Sequence, residues 1–254
     1  MTTTYLTATN EILKELNEVE LNSANFNSAV GIHAFVKDII NRAYFDIVNA
    51  EEEWPFLIEG SPEDPFTGSL YIETVAGTKL YLLKSGSADV RTDFKSVDWD
   101  NFYLTTYGVA GETEPYESRK LNYITTEQYN LHYRDEDNNT FFKGEGYDVP
   151  RKIFKSADTR YFGVSPIPDK VYRIYFSAWI QPSRLNVFDD EIIIPDSWIN
   201  VLYAKARYYM WQFKESPQQA AFAMQEYEDG LKKMRRSLIE QTPDYISDDR
   251  VRYI

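Results

Sequence analysis

Cysteine is absent from this 254-residue chain, which excludes disulfide frameworks, thiolate nucleophiles and Cys-ligated metals. Histidine is almost absent: His33 and His132 are the two, far apart and in no metal-ligand spacing. Glycine is scarce, with 11 residues, and none falls in a Gly-x-Gly-x-x-Gly or other phosphate-cradling pattern. No serine sits in a Gly-x-Ser-x-Gly setting. No apolar run approaches the ~20 residues that span a bilayer. The opening Met1-Thr2-Thr3-Thr4-Tyr5 has neither a basic nor an apolar leader region, which predicts no signal peptide and a soluble protein made in the cytoplasm. Positive charge is short too: 27 Lys and Arg stand against 40 Asp and Glu, a net charge of -13. Such a surface repels phosphates, so wrapping or reading nucleic acid is not expected.

What is abundant is aromatic surface. Tyr, Phe and Trp make up 16% of residues, with 20 Tyr, 15 Phe and 5 Trp. Tyrosine joins apolar area to a hydrogen-bonding tip, which suits wet interfaces as well as strand-rich cores. Helical periodicity opens the chain. A short helix is expected over residues 7–17, capped by Thr9 or Asn10, with Ile12, Leu13 and Leu16 on one face. A longer helix follows from a cap at Ser28, with Ile32, Phe35, Val36, Ile39, Ile40, Ala43, Tyr44, Ile47 and Val48 on its apolar stripe. Its polar face carries Lys37, Asp38, Asn41, Arg42 and Asp46, and Trp54-Pro55 stops it.

From about residue 61 to 195 the pattern becomes short β-rich runs, at 69–75, 78–83, 102–107, 121–125, 130–133, 159–164 and 171–179. Residues 135–140 read as a turn between two of them. Helix returns after Pro195, capped by Asp196 or Ser197 and running to about Phe213. Ser216-Pro217-Gln218-Gln219 starts another, on which Ala220, Met224, Tyr227, Leu231, Met234 and Leu238 form a heptad seam. Lys232, Lys233, Arg235 and Arg236 complement the dipole at its end.

The expected fold is therefore α+β: N- and C-terminal helices close into one helical bundle around an inserted all-β domain, sandwich or barrel-like. The divisions are 1–60 and 196–240 for the bundle, 61–195 for the β-domain, and 241–254 for a tail. Trp54, Pro55 and Phe56 read as a corner between bundle and β-domain.

Three acidic runs invite a catalytic or metal reading: Glu51-Glu52-Glu53, Asp135-Glu136-Asp137 and Asp189-Asp190-Glu191. Consecutive helical carboxylates diverge, and the second run lacks the glycine and closing glutamate of a calcium loop. No catalytic residue, cofactor or metal is expected. A hydrolase working through a carboxylate pair is the remotest alternative.

The order of these pieces resembles the head-to-tail adaptors of tailed bacteriophages, the tail tubular protein A-like connector or neck family. It comprises Thr9-Asn10-Glu11-Ile12-Leu13, the helix over 30–50 closed by Trp54-Pro55-Phe56, and a β-domain with Ser96-Val97-Asp98-Trp99 and the turn at 161–169. Ile194-Pro195-Asp196-Ser197-Trp198 then leads into an aromatic and a charged helix. The resemblance implies a non-enzymatic virion protein at the neck. Such adaptors form a ring, commonly twelve-fold, between the portal protein and tail or nozzle proteins, with DNA passing through unread and no membrane involved. It also implies that the C-terminal segment engages the portal, through Tyr245, Ile246, Arg250, Val251, Arg252, Tyr253 and Ile254. The alternative is a carbohydrate- or receptor-binding module using the aromatic β-domain.

Overall fold

A computed structural model describes residues 2–60, 70–85, 89–90, 93–111, 117–158 and 160–239. In chain order, helices α1 (Tyr5–Glu15) and α2 (Ile32–Val48) precede strands β1 (Ile58–Glu59), β2 (Tyr71–Glu73), β3 (Leu80–Leu82), β4 (Lys84–Ser85), β5 (Asp89–Val90), β6 (Phe94–Val97), β7 (Tyr103–Thr105), β8 (Ser118–Lys120) and β9 (Asn122–Ile124). Helices α3 (Thr126–His132) and α4 (Arg134–Lys143) come next. They are followed by β10 (Lys152–Lys155), β11 (Tyr161–Ser165), β12 (Arg173–Tyr175) and β13 (Ala178–Ile180), then α5 (Ile199–Phe213) and α6 (Pro217–Leu238). The class is α+β. The chain divides into two compact units, Met1–Phe56 with Ser183–Ile254, and Leu57–Pro182. No helix among the described residues is long and apolar enough to cross a membrane.

The helical unit packs α1 on α2, and α5 between α2 and α6. Ile12, Leu13, Val36, Ile40, Tyr44, Ile47, Leu202, Ala206 and Met234 are fully buried or nearly so. The returning segment after Ser183 closes the unit by satisfying polar groups that helix formation leaves open. The first N–H groups of α1, on Tyr5 and Leu6, donate to the carbonyls of Asp190 (2.8 Å) and Phe188 (3.0 Å). Asn41, read from the sequence as a polar-face residue, is buried instead. Its amide donates to Tyr5 Oη (2.7 Å) and Leu185 O (3.0 Å) and accepts from Leu185 N (3.0 Å). One side chain thus ties α1, α2 and the returning segment together.

The helix starts differ from expectation. Thr4, not Thr9 or Asn10, caps α1, accepting from Thr7 N. Thr9 lies buried within the helix and donates to Tyr5 O, and Asn10 clamps the backbone of Leu21 through both its amide atoms. α2 begins at Ile32 behind Gly31, whose φ of 60° favours glycine, while Ser28 donates to Asn25 O. α2 also stops at Val48, well before Trp54-Pro55. Neither Asp196 nor Ser197 caps α5; Asp196 accepts from Thr3 N and Thr3 Oγ1 instead.

The second unit is built from two four-stranded sheets, ordered β2-β12-β7-β8 and β3-β11-β10-β9. They share a core that includes Ile72, Leu104 and Ile174 from the first and Tyr81, Ile153, Phe162 and Val164 from the second. A three-stranded sheet, β1-β13-β6, and the short pair β4-β5 complete it. Phe102 stacks between Trp99 (5.5 Å) and Phe176 (5.3 Å).

This unit is not all-β. Of residues 130–133, expected as a strand, the first three belong to α3 and Tyr133 is the turn after it, and residues 135–140, expected as a turn, belong to α4. The reason is topological: β9 and β10 run parallel, and parallel neighbours need a crossover, which is commonly helical. The local signal was present in Thr125-x-x-Gln128. Thr125 Oγ1 accepts from Gln128 N (3.2 Å) and Gln128 Oε1 accepts from Thr125 N (3.1 Å), a reciprocal cap. Gly144 in the left-handed region closes α4.

Candidate interaction surfaces

The expected portal-docking residues Tyr245, Ile246, Arg250, Val251, Arg252, Tyr253 and Ile254 lie outside the described residues. At the expected corner, Trp54 is fully buried and its Nε1 donates to Ile47 O at 2.8 Å. Its ring stacks on Phe56 at 5.4 Å, and Pro55 begins a short 3-10 turn. The helical unit ends at Phe56.

The isolated histidines are separately employed. His33 Nε2 bonds Val19 O at 2.9 Å, and His132 lies edge-on to Tyr133. Among the described residues no group of three or more His, Asp or Glu could hold a metal ion. The acidic runs disperse. Glu51 pairs with Arg235. Asp190 accepts from the backbone of Asn186 and Val187. Asp137 is buried at the foot of α4, beside Tyr129 and Ser165.

Sequence reading missed a cation–aromatic cluster inside the helical unit. Lys205 on α5 is nearly buried. Its Nζ lies 3.6 Å from Asp46 and 4.5 Å from the Tyr227 ring centre, with Tyr208 and Tyr209 just beyond 5 Å. Tyr209 Oη donates to the same Asp46 carboxylate, and Arg42 stacks over the Tyr209 ring at 4.2 Å. Burial first, then the Asp46 carboxylate, pushes the Tyr209 and Tyr227 hydroxyls up to about 12. Phenols held so firmly protonated serve as hydrogen-bond donors and ring faces, not as acid–base groups at neutral pH. The spacing of Asp46 and Arg42 on α2 was visible in the sequence; the arrival of Lys205 from a helix far later in the chain was not.

On the β2-β12-β7-β8 sheet, Tyr71, Tyr175 and Tyr103 occupy one cross-strand row. Tyr175, at its centre, is 4% exposed, so the row is not an open aromatic platform for sugar stacking.

Large apolar side chains reach solvent at several places among the described residues, and two of these surfaces are built on helices α4 and α5–α6. The first is α4. Its single buried residue is Asp137, whereas Phe141 and Phe142 are 53% and 83% exposed. α3 anchors the pair instead: Tyr129 stacks on Phe154 with ring centres 3.6 Å apart. Phe154 in turn lies over its cross-strand partner Gly163, where an added Cβ would fall 2.1 Å from the ring. The second surface is the outer side of the α5–α6 pair. Phe222 is 73% exposed beside a groove of about 540 Å³ whose walls include Trp198, Val201, Gly230 and Lys233. Gly230 lets the helices approach closely there, since a Cβ would sit 3.0 Å from Val201.

A family model described as SU10 adaptor protein matches residues 3–252. No curated protein sequence matches the chain.

Proposed function

We propose that this chain, which belongs to the SU10 adaptor protein family, a family of phage structural adaptors, is the subunit of a ring that joins the portal to the tail. The observation that carries the reading is the extent of the family match, residues 3–252, which takes in both units. In this reading the helical unit makes the ring wall and the β-rich unit meets tail or nozzle proteins. The 241–254 segment docks on the portal through its aromatic, aliphatic and arginine side chains. Many weak contacts around a ring then add by avidity. DNA passes without specific binding, and the net charge of -13 disfavours adhesion of the passing phosphates. The assembled protein resides at the virion neck.

The test is co-assembly. The chain is mixed with the portal protein of its phage, and the complex is weighed by native mass spectrometry and imaged by cryo-electron microscopy. A closed ring of several 29.7 kDa copies on the portal is expected. A chain that stays monomeric beside the portal overturns the reading.

A further inference from the structure

The α4 surface and the α5–α6 groove surface are complementary, and the geometry points to their being the two halves of one contact between neighbouring copies of this chain. The inference rests on the ring reading above and specifies where its subunits meet.

α4 is inside-out for a surface helix: it buries a carboxylate and exposes phenylalanines. Exposed aromatics on a rigid helix are placed to anchor in a partner's pocket. Lys143 adjoins Phe142, and about two turns back on the same helix Asp135 and Glu136 stand exposed in the first turn, beside Arg134. A surface that receives both must offer an apolar wall for Phe142 and cations about two helical turns away for Asp135 and Glu136. The α5–α6 surface offers both. Trp198, Val201 and Phe222 form an apolar side within a groove whose lining is otherwise mostly polar and includes Lys233; Lys232, Lys233 and Arg236 make no ion pair among the described residues. Arg235, between them, is already engaged with Glu51. Glu226, on the groove wall, is neutralised by Arg207 at 3.0 Å. Asp229 precedes Lys233 by one helical turn on the same wall.

The spacings agree. Phe142 and Asp135 are about 10 Å apart along α4, and so are Gln225, on the groove wall near Phe222, and Lys232 along α6, each pair being about two helical turns apart. A ring seated beside Gln225 thus brings Asp135 and Glu136 level with Lys232 and Lys233. Because the two surfaces differ and lie on different units, the contact is head-to-tail, the type that generates rings.

The absence of cysteine makes the test direct. Single variants F142C and F222C are purified separately, mixed at equal amounts on the portal and oxidised mildly. Phe222→Cys mixed with Val19→Cys, another exposed position (77%), is the control. A disulfide-linked dimer from the first mixture, absent from the control, is expected. In parallel, the Asp135→Lys/Glu136→Lys variant is expected to weaken assembly at least tenfold. Adding Lys232→Glu/Lys233→Glu to the same chain should restore it. If the unmodified chain forms its ring while the mixture cross-links no better than the control and charge reversal changes nothing, the contact is overturned and the ring reading stands. If the unmodified chain forms no ring under the same conditions, the ring reading fails and the contact falls with it.

Discussion

Asp137 is the residue on which α4 turns towards the sheet. Burial raises its carboxyl above the ordinary carboxylate range, and the Ser165 and Tyr129 hydroxyls with Lys79 bring it only partway back. The folded value exceeds the unfolded one of about 3.9, so the protonated form favours the fold. Stability from this group is fullest below about pH 4 and is lost as pH rises through the folded value. Asp137→Asn, which keeps the shape and cannot ionise, is expected to raise the melting temperature at pH 7 and flatten its slope between pH 4 and 7. Thermal melts across that range check it; an unchanged slope rejects the role given to Asp137. Lys205 poses the converse case. Lys205→Ala strands Asp46 beside Tyr209 and removes a cation from three aromatic faces. The expected loss is about 1–3 kcal/mol by urea unfolding, below that of a wholly buried pair because Asp46 keeps contact with water. Lys205→Met, which refills the space, is expected to lose less.

At the level of elements, the α3–α4 crossover is held on the sheet by a stack of Tyr129 on Phe154 over Gly163. Gly163→Ala places a methyl group where the Phe154 ring lies and must displace both rings. A cost of roughly 2–3 kcal/mol is expected, as for overpacking elsewhere, with lost ellipticity of the crossover helices as its signature. Phe142→Ser, at the far side of the same element, is expected to leave stability within about 0.5 kcal/mol, since the residue is 83% exposed. Equal costs for the two substitutions would refute the inside-out description of α4. The returning segment after Ser183 acts in the same way for the helical unit. Asn41→Leu keeps the volume but leaves Leu185 N–H and C=O without their partner, for about 2 kcal/mol.

For the whole molecule, charge and chain end make separate predictions. With 40 acidic against 27 basic residues, binding to duplex DNA at physiological salt is expected to be weaker than micromolar. Fluorescence polarisation measures it, and submicromolar binding would contradict a passive channel. Deleting 241–254 is expected to leave circular dichroism and melting unchanged while co-assembly with the portal is lost. A truncated chain that still seats on the portal would move the anchor elsewhere in the chain.

Composition and periodicity alone determined the α+β class, the helical beginning and end, the strand-rich middle and the absence of thiol chemistry. They did so because apolar spacing and residue inventory are local properties of the chain. α2 and α6 were legible since their seams, Ile40 to Ile47 and Ala220 to Met234, repeat over several turns. The crossover was misread because α4, -Arg134-Asp135-Glu136-Asp137-Asn138-, has no apolar stripe to announce a helix; what makes it one is the parallel pairing of β9 with β10. Asn41 could not be told from its exposed neighbours, since only the return of Leu185 across 144 residues provides its partners. Lys205 and Asp46 likewise became a pair only when α5 packed on α2. Long-range pairing decides where polar groups are buried, since burial depends on what arrives from elsewhere in the chain, and no local spacing encodes that arrival.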